Sequence, residues 1–144
     1  MNDFQKMSGS WKGSLTYLDY ATGKPYTMPA DIEIKRIAQT NQFALYNSYP
    51  NEKSANSIDT LTISTDGKYI DNALVKSRRQ LSNGVIEVIT EEMGTDGNDD
   101  QPATFRHTYL FSKTQFKKRK DVQFTGATEW INRHEYSYTK NLGH

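Results

Sequence analysis

Hydrophobic and polar residues alternate along most of this chain. In "ADIEIKRIA", Ile32 and Ile34 alternate with Asp31, Glu33 and Lys35, the period-two pattern of a strand that buries one face. "SWKGSLTYLDY" places Trp11, Gly13, Leu15 and Tyr17 on one side, and "QFALYNSY" sets Phe43, Leu45 and Asn47 against Ala44, Tyr46 and Ser48. "ATGKP" follows the first of these as a turn. Asp66-Gly67 lies between "IDTLTIST" and "KYIDNALV", and Ser82-Asn83-Gly84 between "KSRRQL" and "VIEVITEE". Asp-Gly and Asn-Gly suit tight hairpins because both residues tolerate positive φ. "GTDGNDDQPA" reads as one long polar loop, after which "TFRHTYLFS", "QFKKRKDVQF" and "TEWINRHEYSYT" complete the chain. No stretch sustains a helical period; a short helix over the first few residues is the single exception expected.

About eight to ten strands joined by hairpins predict a meander rather than crossover connections. Closing the meander into an antiparallel up-and-down β-barrel removes its two exposed edges. The predicted fold is therefore all-β, a single barrel domain over residues 1–144, with a β-sandwich as the alternative. Composition agrees: only 35% of residues are hydrophobic, yet 12% are aromatic, with nine Tyr, six Phe and two Trp. Strands that show one face to a core give that combination, whereas a disordered chain would be poor in aromatic and β-branched residues.

A net charge of +1 gives no bias toward nucleic acid or anionic membrane, and the absence of cysteine excludes disulfides, thiolate metal sites and a cysteine nucleophile. No apolar run is long enough to span a bilayer, and "MNDFQKM" lacks the apolar region of a signal peptide. A soluble protein is expected, cytoplasmic as the sequence stands, periplasmic or secreted if a leader has been removed, and monomeric or homodimeric.

Two stretches carry distinctive chemistry. The first is Gly9-Ser10-Trp11-Lys12-Gly13, at the start of the first strand. A Trp there can plug a barrel end, while glycine permits close backbone approach. The pattern resembles the Gly-x-Trp signature of lipocalins and the wider calycin superfamily, and the lipocalin-like proteins common in bacteria. The resemblance implies a barrel plugged by Gly9 and Trp11, with an arginine from a late strand across the indole; Arg133 is the candidate, Arg106 the alternative. "GSWKGS" is also similar to the opening of nitrobindin-type haem barrels, although the next glycine of that pattern is missing.

The second is a rhyme: "RHTYLF" (106–111) and "RHEYSY" (133–138) share Arg-His-x-Tyr-x-aromatic. Alternation puts His107, Tyr109 and Phe111 on one face, and Trp130, Asn132, His134, Tyr136 and Tyr138 on one face of the later strand. If the aromatic faces point inward, His and Tyr tips line a lumen with apolar rings between them, the usual makeup of a small-molecule site. Tyr17, Tyr46, His107, Tyr109, His134 and Tyr136 are the candidate ligand contacts.

Other motifs point to less. Two histidines about 10 Å apart across one intervening strand lack a third ligand, His144 is terminal, and no His-x-x-x-His spacing occurs, so no metal site is assigned. Asp96, Asn98 and Asp100 begin like a calcium loop, but Gln101 and His107 occupy the places of its turn glycine and bidentate glutamate. Lys117–Lys120, "KKRK", falls in a strand–turn segment where half of the side chains point to solvent and the other long stems can snorkel, so it is not read as a nucleic-acid site. No catalytic motif is present. The expected function is non-enzymatic binding or transport of a small, partly hydrophobic or amphipathic molecule in the lumen, with no cofactor and no nucleic-acid partner. The alternatives are a barrel enzyme of isomerase, cyclase or hydrolase type, using Glu87, His107, Tyr109 or His134, and a haem protein with His134 or His107 as axial ligand.

Overall fold

A computed structural model describes residues 3–19, 21–97 and 99–140. Ten strands are present among them: β1 (Gly9–Asp19), β2 (Lys24–Arg36), β3 (Gln42–Ser48), β4 (Ser57–Thr62), β5 (Tyr69–Ile70), β6 (Ala73–Gln80), β7 (Ile86–Asp96), β8 (Gln101–Phe111), β9 (Gln115–Phe124) and β10 (Ile131–Lys140). All pair antiparallel in the order β4-β3-β2-β1-β10-β9-β8-β7-β6-β5. The meander folds back on itself because β1 pairs with β10, bringing Trp11 opposite Lys140 and Tyr17 opposite His134. A bridge from Ile63 to Ile70, with Ser64 N–H donating to the Tyr69 carbonyl at 2.9 Å, ties the two ends of the order together. The result is a nearly closed up-and-down barrel. Its weakest seam lies between β4 and the short β5.

The alternating residues fill the interior. Trp11, Met28, Ala30, Ile32, Ile34, Phe43, Leu45, Val88 and Phe111 are all buried. The expected N-terminal helix is a 3-10 turn over Asp3–Met7 that inserts Phe4 and Met7 into one barrel end. Phe4 packs on Tyr109 and Phe111 with ring centroids 5.8 and 5.2 Å apart, and Asp3 pins the turn by a bidentate ion pair with Arg78 at 2.7 and 2.9 Å.

Three local expectations are corrected. "KYIDNALV" is two strands, because Asp71 takes a positive φ of 53° and its carboxylate accepts the Thr62 N–H at 2.9 Å, turning the chain between β5 and β6. The long polar loop is shorter than expected, since β7 and β8 stay paired out to Asp96 and Gln101. Its calcium-like stretch includes Asn98, which lies outside the described residues, as does His144. In β10 a bulge between Asn132 and His134 spends two residues against one step of β9. The bulge reverses the alternation, so Asn132 pairs with Asp121 while His134 pairs with Lys120. Trp130 and Asn132 therefore do not share the face of His134; Trp130 stacks instead beneath the Arg106 guanidinium at 3.9 Å. None of the helices among the described residues is long and apolar enough to cross a membrane.

Candidate functional site

The two Arg-His-x-Tyr-x-aromatic segments occupy β8 and β10, with β9 between them. Register makes them three aligned rungs: His107–Lys120–His134, Tyr109–Lys118–Tyr136 and Phe111–Phe116–Tyr138. The bulge at Arg133 creates this alignment. Alternation in β9 sends Lys117 and Arg119 outward and Lys118 and Lys120 inward, so half of the "KKRK" run faces solvent and half the barrel interior. Lys120 rests 4.5 Å from the centre of the Phe105 ring, and Lys118 lies 4.8 Å from that of Tyr136.

These rungs border a cavity of about 280 Å³. Met7, Ile32, Leu45, Leu61 and Phe116 form its apolar wall, His107, Tyr109, Lys118, His134 and Tyr136 its polar side, and Asp59 and Asp71 its rim. Asp59 and Asp71 are exposed where β4 and β5 part, which places the mouth at the weak seam. Tyr49, just past β3, reaches across to donate to or accept from the Tyr136 hydroxyl at 2.9 Å. Behind them the rings of Tyr136, Tyr138 and Phe116 stack in sequence at 5.8 and 5.5 Å, ending on Trp11.

The electrostatics follow from withdrawal of these groups from water. Burial pushes His134 down to about 4, helped by the neighbouring Lys118 and Lys120. Its imidazole is therefore neutral at pH 7, and its Nδ1 is buried with no hydrogen-bond partner. Burial also lowers His107, opposed by Glu92, whose carboxylate stands 3.6 Å from Nε2. Burial lowers Lys118, with Asp59 and Asp71 pulling the other way. The Tyr109 and Tyr136 hydroxyls are raised well above the ordinary phenol range by burial, so both remain protonated donors. Lys118 enters no ion pair among the described residues. Lysines facing a barrel interior without a carboxylate partner are uncommon, because an unpaired buried charge is costly.

Of the six candidate contacts, His107, Tyr109, His134 and Tyr136 line this cavity together. Tyr17 packs at the edge of the core against Tyr26, with centroids 5.5 Å apart, outside the cavity lining. Tyr46 is a correction: it is 39% exposed on the outer face under Lys35, because the inward phase of β3 belongs to Phe43, Leu45 and Asn47. Glu87 also faces outward, bound to Arg79 at 2.6 Å. Lys118, Asp59, Asp71 and Tyr49 escaped the sequence reading. Asp59 did carry a signal there, since it shares the alternation phase of Leu61.

Gly9 and Trp11 sit at the plugged end. Trp11 is 1% exposed and its indole N–H donates to the Met7 carbonyl at 2.8 Å. The cation over its ring is Lys140 at 4.6 Å, in place of the expected Arg133. Arg133 lies seven residues up β10, about 23 Å along the strand, and pairs with Asp96 at 2.7 Å; Arg106 pairs with Glu91 at 3.0 Å. Among the described residues no group of three or more His, Cys, Asp or Glu side chains is placed to hold a metal ion.

No family model matches this sequence. No curated protein matches it either. Among solved structures it is similar to Rv2717c from M. tuberculosis, with a TM-score of 0.62 over 96% of both chains at 10% sequence identity. At that identity the likeness extends to the barrel fold and no further.

Proposed function

We propose that this chain is a lipocalin-like barrel whose lumen binds a small amphipathic molecule without transforming it. The observation that carries the reading is Lys118, without an ion-pair partner among the described residues, beside the Tyr109 hydroxyl in a cavity walled on the other side by Met7, Ile32, Leu45 and Phe116. A core that served packing alone would pair such a cation with a carboxylate, since an unpaired buried charge is costly. A ligand with a polar head and an apolar body would satisfy Lys118 and Tyr109 while covering the hydrophobic wall.

The haem alternative fits these residues poorly. A porphyrin needs a flat apolar slot beside its axial histidine, whereas the rungs next to His107 and His134 carry Lys118 and Lys120. The volume of about 280 Å³ also lies just below the usual ligand-site range of about 300–1,000 Å³. Absence of a Soret shift on adding hemin is the expected result.

A barrel enzyme is the second reading, favoured by two basic groups, His134 and Lys118, whose proton affinities are both lowered within one cavity. The binding reading is tested by two-dimensional NMR with benzyl alcohol as the probe. Saturable shifts centred on His107, Tyr109, His134 and Tyr136, abolished when Leu45→Trp fills the cavity, are expected. Shifts that are linear and scattered, or unchanged by Leu45→Trp, overturn it.

A further inference from the structure

We infer that the lumen selects small monocarboxylic acids, of about ten non-hydrogen atoms or fewer, with the carboxylate seated against Lys118 between Tyr109 and Tyr136. This names the ligand class for the binding site proposed above and rests on that reading.

The inference starts from an imbalance between donors and acceptors. Lys118 brings an ammonium with up to three N–H donors, and its direct cross-strand neighbours Tyr109 and Tyr136 bring two hydroxyls. Tyr136 already shares its hydroxyl with Tyr49, whereas the Tyr109 hydroxyl has no hydrogen-bond partner among the described residues. The carboxylates at the rim do not redress the balance. Asp59 Oδ2 accepts from Asn47 Nδ2 at 2.8 Å, Asp71 Oδ1 accepts from the Thr62 N–H, and neither comes within ion-pair distance of Lys118. Glu92 faces His107 one rung higher. The middle rung is therefore rich in donors and short of acceptors. A carboxylate offers two oxygens and about four lone-pair sites, and charge-assisted bonds to an ammonium are the stronger kind.

The rest of the cavity sets the remainder of the ligand. Met7, Ile32, Leu45 and Phe116 suit a hydrocarbon chain or a single ring. A space of about 280 Å³ equals the liquid volume of about nine water molecules, so a body of about ten non-hydrogen atoms fits within the walls. Hexanoate and benzoate are both within that size.

The experiment is isothermal titration calorimetry of the full chain at neutral pH, with benzoate and hexanoate set against benzyl alcohol and 1-hexanol. The acids are expected to bind at least tenfold more tightly than the matched alcohols, and Lys118→Met to erase that preference while alcohol binding survives. Lys118→Gln serves as a second variant, and the acid-to-alcohol ratio of the unaltered protein needs no variant at all. Alcohols binding as tightly as acids, or a preference that survives loss of Lys118, overturn the acid assignment and leave the lumen reading standing. If neither acids nor alcohols bind the unaltered protein, both fall.

Discussion

His107 and His134 share one rung of the barrel, each the direct cross-strand neighbour of Lys120. The two imidazoles and the ammonium point the same way, so protonating either histidine adds a cation beside one already present. Burial above all, and then these neighbouring cations, hold both histidines below their ordinary value, with Glu92 opposing the shift at His107.

A pH dependence of stability follows, and its sign is fixed. His134 is depressed from 6.5 to about 4 in the folded protein, so the unfolded chain takes up the proton first as pH falls. Its contribution is complete above about pH 6.5, is lost as pH drops toward 4, and is absent below that. The loss is on the order of 2 kcal/mol, less than the full shift implies because His134 is only partly buried. Urea unfolding at pH 7.5, 5.5 and 4.5 measures it. The midpoint should fall across that series, and His134→Phe should flatten the fall; an equally steep fall in the variant would assign the effect to other groups.

Removing the lumen lysine should stabilise the empty protein. Lys118 lacks an ion-pair partner, and the stem of a methionine fills the same space without a charge to desolvate. Lys118→Met is expected to gain about 1 kcal/mol in urea unfolding at pH 7. A loss of similar size would mean that Lys118 holds the barrel together rather than serving a ligand.

The plugged end should depend on Gly13 more than on Lys140. A Cβ at position 13 would run into the Ser137 carbonyl and the Tyr138 Cα, because β1 and β10 cross closely there. Gly13→Ala must push the seam strands apart and is expected to cost about 2–3 kcal/mol. Lys140 lies over the Trp11 ring and donates to the Ser8 carbonyl at 2.6 Å. Lys140→Met should cost only about 1 kcal/mol. Thermal unfolding of both variants checks the order, and the reverse order would place the closure in the lysine clamp.

Most of the architecture was legible as alternation. Ile32 and Ile34, Trp11 and Leu15, and His107, Tyr109 and Phe111 follow the period-two rule through the barrel. Tyr46 could have been set aside by that same rule, since its neighbours Leu45 and Asn47 hold the inward phase. The reversal at Arg133 could not be read, because a bulge is decided by pairing with β9 and leaves no local mark in "INRHEY". Arg133 occurs in a motif, yet register brings Lys140 to the indole. The lysines of β9 were missed for a different reason. A run of four positive charges leaves its inward half to snorkel, and nothing local reveals that one of those inward positions, Lys118, borders a cavity. Tyr49 arrives from beyond the end of β3, a placement set by the path of the loop rather than by the strand pattern.

The most direct test is where a small molecule comes to rest. Intermolecular nuclear Overhauser effects from bound benzyl alcohol should connect its ring to the Leu45 and Ile32 methyls, the Tyr109 ring and the His134 imidazole. Contacts confined to exposed outer residues such as Ile58, Tyr46 and Met93, with none to Leu45 or Tyr109, would contradict a binding lumen.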